Sequence, residues 1–221
     1  MINKFNYEKQ KYRFVPIIEE WFSLNSMLPV NGITKLHEIK EYEHFEREND
    51  QSTIWHQIFY DMIRKDNLFN DTYIRFLKNV IKPRYGEEIV YQKIPTFRVH
   101  LPGNVSVGEF HKDKHYRNVE WAEKVKETNY YVPLTKAYGT NTIWAETEED
   151  KGDFKPFNSD YGECIEWNAS NLTHGNKDNV TKNTRLSFDF RVIPKSRYID
   201  SSHLTINTKI PFGIGGYYEV L

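Results

Sequence analysis

The chain has a single cysteine, nearly balanced charges and no long hydrophobic run, and each of these shortages excludes a class of protein. Cys164 is the only cysteine among 221 residues, so no disulfide can form within the chain. The 30 basic and 31 acidic residues give a net charge of -1, which leaves no strongly basic surface for nucleic acid or an anionic membrane. No apolar run approaches the roughly 20 residues that a membrane helix requires.

The first residues, MINKFNYEKQKYRF, also lack the apolar stretch of a secretory signal. Together with the lone cysteine, which we expect to be a small buried hydrophobic residue, this predicts a soluble, cytoplasmic protein. We expect a partner that is neither nucleic acid nor membrane. No sequence pattern indicates an oligomeric state.

Apolar side chains recur at helical spacing in two stretches of the first third of the chain, one from Ser52 and one from Asn70. Asn70 is the predicted cap of the second helix, and Pro83 is its predicted end. A weaker helix is predicted at 17–22, and the charged stretch 40–50 is interpreted as a solvated helix face or a loop. The apolar positions of the two patterns are Trp55, Ile58, Phe59, Met62, Ile74, Leu77 and Ile81.

After Gly86 the sequence changes to short runs rich in β-branched and aromatic residues, separated by Gly, Pro, Asn and Asp. Since no long helical pattern lies between these runs, antiparallel pairing is favoured over β-α-β units. We therefore predict one domain, with a helical part at about 1–85, a sandwich or barrel at about 86–195 and an irregular closing tail at 196–221. The runs are EIVYQKIPTFRVHL, VSVGEF, TNYYVPL, NTIWAE, GECIEWNA and TRLSFDFRVI.

The motif FHKDKH holds two histidines and a carboxylate at the end of one of these runs. Residues two apart on a strand share a face, so His111 and Asp113 are predicted to point the same way. His174, in the polar turn after GECIEWNA, is the best third ligand. Two imidazoles and a carboxylate leave the other positions of a metal open, as in non-haem Fe(II) oxygenases. The alternative is a solvated turn. His115 shares the parity of His111 and Asp113 and is a competing ligand, but a flanking role is favoured.

The strand TRLSFDFRV, which begins about ten residues after His174, supports the metal hypothesis. Its alternate residues divide into an apolar face for the core and a polar face for a cavity. Arg185 and Ser187 are neighbours on the polar face, where a guanidinium and a hydroxyl suit a carboxylate. A surface salt bridge is the alternative role for Arg185. The apolar face is Leu186, Phe188, Phe190 and Val192, and the polar face continues with Asp189 and Arg191.

The combination of His111, Asp113, His174, Arg185 and Ser187 resembles the Fe(II)/2-oxoglutarate-dependent oxygenases, in the branch that contains phytanoyl-CoA and ectoine hydroxylases. The strings GEFHKDKHY, NYYVPLTKAYGTNTIW and GECIEWNASNLTHGN are similar to a bacterial subgroup from antibiotic and sugar-modifying gene clusters. The resemblance covers about 90–195. It implies a mainly β fold, a double-stranded β-helix or jelly roll with N-terminal supporting helices.

The resemblance also implies roles for residues. His111, Asp113 and His174 would be the catalytic Fe(II) ligands, and 2-oxoglutarate would chelate the metal with its far carboxylate on Arg185 and Ser187. With O2, oxidative decarboxylation to succinate and CO2 would drive hydroxylation of a C–H bond. Asp113 favours hydroxylation over halogenation, because related halogenases have a small residue there; desaturation, cyclisation and epimerisation stay open. Weaker candidates are Asn129 and Arg98 for the cosubstrate, and Tyr131, Tyr116 and Trp144 for the substrate.

The substrate is expected to be a small polar metabolite such as a sugar, an aminocyclitol or an amino-acid derivative. This expectation rests on polar side chains that line the predicted cavity beyond the clamp. Two other classes fit part of the pattern: a non-catalytic jelly-roll module that binds a sugar or metal, and a cupin-type metalloenzyme without 2-oxoglutarate. Arg185 discriminates, because a cupin needs no carboxylate clamp. The polar residues are Arg98, His100, Asn129, Tyr131, Asp189 and Arg191.

Overall fold

The computed structural model describes residues 2–26, 32–39, 51–106, 109–116, 118–201, 203–204 and 210–221. Within these ranges the α-helices are α1 (Phe14–Ser26), α2 (Ile54–Lys65), α3 (Asn67–Phe76) and α4 (Val119–Val125). The strands are β1 (Asn3–Asn6), β2 (Ile89–Gln92), β3 (Thr96–His100), β4 (Thr128–Pro133), β5 (Ile143–Ala145), β6 (Lys155–Pro156), β7 (Glu163–Trp167), β8 (His174–Asn176), β9 (Arg185–Pro194) and β10 (Tyr218–Val220).

The predicted N-terminal helices are present, but their ends differ from the prediction. The cap of α3 is Asp66, whose side chain accepts a hydrogen bond from the Leu68 amide at 2.8 Å, so the assignment to Asn70 was wrong. Beyond α3 the chain continues through π- and 3₁₀-helical turns to Arg84. Pro83 does not end it, because proline is tolerated in the first turn of a helical segment. The helix predicted at 17–22 is the longer α1, and 40–50 lie outside the described residues.

The strands form two antiparallel sheets, as the sequence predicted. In the described residues the larger sheet has the order β1-β7-β4-β9-β2-β10, with β3 also paired to β9. The smaller sheet has the order β6-β5-β8. Since β9 pairs with β2, β3 and β4, its ten residues form the centre of the larger sheet.

Three segments differ from the sequence prediction. The described residues of VSVGEF form no strand, and the metal motif is a 3₁₀ turn at Asp113–Tyr116. The closing tail is not wholly irregular, because β10 pairs with β2 and places Tyr218 opposite Gln92. Helix α4, with Asn118 as its cap, lies between the metal motif and β4 and was not predicted.

The main hydrophobic core lies between the larger sheet and helices α1 to α3. Alternate residues of β9 point into it, and Phe188 packs edge-on against Phe14, with ring centroids 4.9 Å apart, and against Phe69 at 5.6 Å. The thiol of Cys164 is buried in the same core, as expected. No helix in the described ranges is long and apolar enough to cross a membrane. Because one face of β9 packs in this core, its polar residues lie on the opposite face.

Candidate metal centre

His111, Asp113 and His174 form a cluster whose ligand atoms all lie within 4.8 Å of one another. The Nε2 atoms of both histidines are 3.5 Å from Oδ1 of Asp113. His111 and His174 are also backbone partners in an antiparallel bridge, with N–O distances of 2.8 and 2.9 Å. Their side chains are 15% and 11% exposed, so the cluster is largely enclosed.

Backbone carbonyls fix the orientation of both imidazoles. Nδ1 of His111 lies 2.8 Å from the carbonyl oxygen of Glu109, and Nδ1 of His174 lies 2.9 Å from that of Leu172. A carbonyl oxygen can only accept, so each Nδ1 carries the proton and donates it. In the neutral imidazole, Nε2 then presents its lone pair to the point that Asp113 faces.

The electrostatic environments of the two histidines differ. Burial lowers the pKa of His174 below its ordinary value, which favours the neutral form that binds metal. Burial also acts to lower the pKa of His111, but the hydrogen bonds with Asp113 and the Glu109 carbonyl and the charge of Asp113 together outweigh it, and the pKa is raised. The charge of Asp113 therefore favours the protonated form of His111, which competes with metal binding.

Asp113 reaches the cluster by a route that strand alternation does not describe. It begins the 3₁₀ turn Asp113–Tyr116, and its amide donates to the carbonyl of Ala169 at 2.9 Å. The structure brings His111 and Asp113 together, as the sequence predicted, but the predicted strand is wrong. The same turn directs His115 outward, where it is exposed and outside the cluster.

Gly175 allows the two histidine segments to approach. A Cβ atom at this position would lie 2.8 Å from Cδ2 of the Phe110 ring and 3.1 Å from the Phe110 Cα. Real Cβ atoms essentially never come within 3.0 Å of another heavy atom. The glycine after His174 is therefore required for the backbone bridge to His111.

Arg191 contacts the cluster, which the sequence analysis missed. Its Nη2 donates to Oδ2 of Asp113 at 2.8 Å, while Oδ1 of Asp113 faces the histidines. Burial acts to lower the pKa of Arg191, but Tyr217, Asp113 and Glu127 together raise it well above its usual value, so the guanidinium stays charged. Residues this distant in sequence show no shared spacing, so only the alternation of β9 indicated that Arg191 faces the cavity.

Arg185 and Ser187 are neighbours on the polar face of β9, as the sequence predicted. Arg185 is 1% exposed and Ser187 is fully buried, and Nη1 of the arginine donates to the serine hydroxyl at 2.9 Å. Nε of Arg185 donates to the carbonyl of Asn141 at 3.0 Å. His100 lies opposite Arg185 in the β3–β9 register, and burial followed by this positive charge lowers its pKa to about 3.

The other predicted cosubstrate and substrate residues on the larger sheet have different environments. Arg98 forms an ion pair with Asp189 at 3.2 Å. Asn129 is buried, and its side-chain oxygen accepts a hydrogen bond from the Ala169 amide at 3.3 Å. The hydroxyl of Tyr131 is fully buried and has no hydrogen-bond partner among the residues that the structure describes. Tyr131 is thus the candidate whose polar atom is left for a ligand.

Tyr116 and Trp144 have different positions relative to the cluster. The Tyr116 ring is 5.0 Å from the His111 ring, and its side chain is exposed. Trp144 pairs with Gly175 rather than with His174, so it lies on the other face of β5. There the Lys177 ammonium lies 3.3 Å from the centre of its ring. The structure therefore brings Tyr116 to the metal cluster but does not bring Trp144 there.

A cavity of about 460 Å³ lies beside Tyr116. Tyr116, Trp121 and Phe212 supply aromatic rings, and His115 and His203 supply polar imidazoles. The other wall residues in the described ranges are Asn118, Ser201 and Leu204, which have no ionisable side chain. The cavity suits a small polar molecule with a ring that can stack on aromatic side chains.

Comparison with known proteins gives the family. The chain is 38% identical over 178 residues to the streptomycin biosynthesis protein StrG of Streptomyces griseus, and the match covers 79% of this chain and 80% of StrG. The chain belongs to the StrG family. No general family model matches it. Membership in the StrG family confirms the resemblance to a subgroup from antibiotic gene clusters.

Comparison with solved structures concerns the fold of this chain. EctD from S. alaskensis, in its apo form, superimposes with a TM-score of 0.51 at 13% identity, over 96% of this chain and 76% of EctD. The non-heme monooxygenase ThoJ, as a nickel complex, has a TM-score of 0.47 at 14% identity, over 86% of this chain and 71% of ThoJ. The match to EctD confirms the jelly-roll fold predicted from the resemblance to Fe(II)/2-oxoglutarate oxygenases.

Proposed function

We propose that this member of the StrG family is a non-haem Fe(II)- and 2-oxoglutarate-dependent oxygenase that hydroxylates a C–H bond of a small polar metabolite. The observation that carries the proposal is the convergence of His111, Asp113 and His174, where Arg191 donates to Asp113. Arg185 is buried on the same face of β9 as Arg191. Succinate and CO2 would be the products of the cosubstrate.

The donor set fits Fe(II). Two nitrogen atoms and one carboxylate oxygen converge on one side, and both Nδ1 atoms are held by carbonyls, so His111 and His174 offer Nε2. This facial arrangement leaves positions for other ligands of the ion. Bound Fe(II) would supply the oxidising chemistry, which couples O2 to the decarboxylation of 2-oxoglutarate. Because Asp113 occupies the third protein position, hydroxylation is favoured over halogenation.

The side chains near Arg185 fit a dicarboxylate cosubstrate. The Arg185 guanidinium and the Ser187 hydroxyl can both donate to a carboxylate, and burial strengthens such contacts. Tyr131 lies on the neighbouring strand β4, opposite Asp189 and therefore on the same face of the sheet. Its partnerless buried hydroxyl is accounted for if a bound ligand accepts its hydrogen bond.

The substrate would occupy the cavity beside Tyr116. Aromatic rings and uncharged polar groups are the surfaces that sugars and cyclitols contact, whereas a lipid chain would leave His115 and His203 without polar partners. StrG is named for streptomycin biosynthesis, which supports an intermediate of antibiotic biosynthesis as the substrate class. Tyr116 is in ring contact with His111 and Trp167 with His174, so these two rings would exclude water from part of the cluster.

An anaerobic Fe(II) titration with and without 2-oxoglutarate tests the proposal. We expect one Fe(II) per chain and a visible charge-transfer band only when both are present. Metal binding without a band or 2-oxoglutarate affinity would indicate a binding module, and oxygen uptake independent of 2-oxoglutarate would indicate a cupin-type enzyme. Succinate release across sugars, cyclitols, amino acids, fatty acyl compounds and methylated oligonucleotides then identifies the substrate class. Turnover only with an acyl chain or a nucleic acid would contradict the proposed pocket.

A further inference from the structure

The two oxygens of Asp113 have different partners. Oδ1 faces Nε2 of both His111 and His174 at 3.5 Å, whereas Oδ2 accepts from Nη2 of Arg191 at 2.8 Å. A carboxylate can bind a metal through one oxygen or through both. Here the second oxygen is already held by a charged donor, so one oxygen is presented to the metal.

Arg191 is held in place by a second set of contacts. Its Nε lies 3.0 Å from Oε1 of Glu127, a residue whose side chain is fully buried. Its Nη1 donates to the hydroxyl of Tyr217, and the hydroxyl of Tyr218 donates to the other oxygen of Glu127. The guanidinium therefore connects Asp113 to the segment before β4 and to the C-terminal residues at β10.

The charges of this network explain why an arginine is suited to the position. A positive charge beside a metal ligand opposes cation binding, but the buried carboxylate of Glu127 offsets the charge of Arg191. What remains is the geometry of a planar donor that bonds in several fixed directions at once. A lysine has no such fork, and a neutral residue would leave Glu127 and Asp113 as buried carboxylates without their cation.

We propose that Arg191 is a positioning residue that restricts Asp113 to ligation through Oδ1, and that Tyr217 of the C-terminal tail completes its alignment. The proposal rests on the proposed function for the identity of the metal. It assigns the tail a part in the metal site although none of its described residues belongs to the ligand cluster. Removing the contact should change both the affinity for metal and its coordination geometry.

The test compares metal binding in three variants. Arg191→Gln combined with Glu127→Gln removes the fork and one buried charge of each sign, so the net charge is unchanged. Tyr217→Phe removes one hydroxyl near the end of the chain. Arg84→Gln is the matched control, because Arg84 also forms an ion pair with a glutamate, Glu166, but outside the ligand cluster. Calorimetry with Mn(II) gives the affinity, and the visible spectrum of the Co(II)-loaded protein reports the number of ligands.

We expect the double variant to bind Mn(II) about ten- to a hundredfold more weakly, the range found for residues that orient metal ligands. Its Co(II) spectrum should change in intensity, as it does when a carboxylate adds a second oxygen. Tyr217→Phe should show a smaller change in the same direction, and Arg84→Gln should match the wild type. Wild-type affinity and spectrum in the folded double variant would overturn the inference.

If the double variant does not fold, Tyr217→Phe decides alone, and wild-type affinity and spectrum in it would overturn the proposal. Failure of the proposal for Arg191 can be distinguished from failure of the proposed function. A wild-type protein that binds metal but not 2-oxoglutarate would refute the oxygenase assignment and leave the role of Arg191 open to the same measurement. A wild-type protein that binds neither Mn(II) nor Co(II) would refute both.

Discussion

The two faces of β9 have opposite characters. One face places Phe188 and its alternate neighbours in the aromatic core under α1 to α3, and the other carries Arg185, Ser187 and Arg191, the last in contact with Asp113 of the candidate metal centre. Strand β3 continues the division, with Phe97 in the core and His100 opposite Arg185. A single residue of displacement in register would exchange the two faces, so the core that stabilises the sheet also fixes which residues reach the site.

This division separates stability from ligand binding within one strand. Changes on the core face should lower the free energy of unfolding and leave the binding constants of the folded protein nearly unchanged. Changes on the site face should weaken ligand binding and leave the free energy of unfolding nearly unchanged, except where a buried charge or its hydrogen-bond partner is removed. The following experiments test how complete the separation is.

The largest effect is expected from the metal ligands. His111→Ala, Asp113→Ala and His174→Ala should each abolish turnover and reduce metal binding below detection, because two donors cannot hold the ion in this geometry. Isothermal titration with Fe(II) under anaerobic conditions measures it. His115→Ala is the control for metal affinity, since this histidine comes from the same motif but is exposed outside the cluster. Full metal affinity in all three ligand variants would refute the site.

The second prediction concerns the core face. Phe188→Ala should lower the free energy of unfolding by about 3–5 kcal/mol, because it leaves a cavity among Phe14, Phe69 and Tyr73. Urea unfolding measures the loss. Metal affinity of the remaining folded protein should stay that of the wild type, and a large change in affinity would show that the two faces are coupled.

The third prediction returns to the site face. Arg185→Ala should weaken 2-oxoglutarate binding at least about tenfold, since a charge-assisted contact contributes roughly 1.5–3 kcal/mol. Calorimetry in Mn(II)-loaded protein measures the affinity. Arg84→Ala, which removes an arginine away from the cluster, should leave it unchanged. Unaltered 2-oxoglutarate binding in Arg185→Ala would remove the main support for the cosubstrate.

The fourth prediction uses pH to test whether His100, which lies opposite Arg185 on the site face, also affects the free energy of unfolding. The pKa of His100 is about 3 in the folded protein, below its ordinary value of 6.5, so the unfolded chain binds a proton that the native state does not. This contribution to stability is present at pH 7 and is lost as the pH falls below 6.5, by roughly 2 kcal/mol at pH 5.

Urea unfolding between pH 7 and pH 5 measures the dependence for His100. His100→Gln should flatten it, whereas His203→Gln, at an exposed position, should not. An identical pH dependence in the wild type and His100→Gln would show that His100 accepts a proton without unfolding.

The smallest effect is expected from Ser187→Ala. The hydroxyl adds one neutral hydrogen bond, so 2-oxoglutarate affinity should fall by a few-fold, equivalent to about 0.5–1 kcal/mol. The free energy of unfolding should fall by about 1 kcal/mol, because Nη1 of Arg185 loses a buried acceptor while Nε keeps its bond to the Asn141 carbonyl. The same calorimetric assay measures it, and a loss as large as that of Arg185→Ala would mean that the serine orients the arginine.

The periodic features of the fold were predictable from the sequence. Alternation in β9 gave both faces correctly, because its apolar side chains pack in the core under α1 to α3 and its polar side chains lie on the other face. The metal motif gave the cluster of His111, Asp113 and His174, although the turn at Asp113 was taken for a strand. The three ligands could be predicted despite this error, because few residue types bind metal. Any backbone path that brings these three residues together gives the same cluster.

The contacts of Arg191 and the pairing of β10 were not predictable in this way. Arg191 meets Asp113, Glu127 and Tyr217 only after the sheet and tail have folded together, and no spacing connects these residues in sequence. The short strand Tyr218–Val220 is stabilised by pairing with β2 rather than by its own composition. Trp144 was predicted to be a site residue from its neighbours in sequence. It lies on the other face of β5, because it pairs with Gly175 rather than with His174.

The backbone bridge between His111 and His174 has a consequence for folding. Two hydrogen bonds join these residues, which lie far apart along the chain, and a metal ion would join the same residues a second time through their side chains. The ion would then act as a cross-link that closes a long loop, and its binding energy would add to the stability of the native state alone. The resistance of this protein to heat should therefore rise with the concentration of free metal.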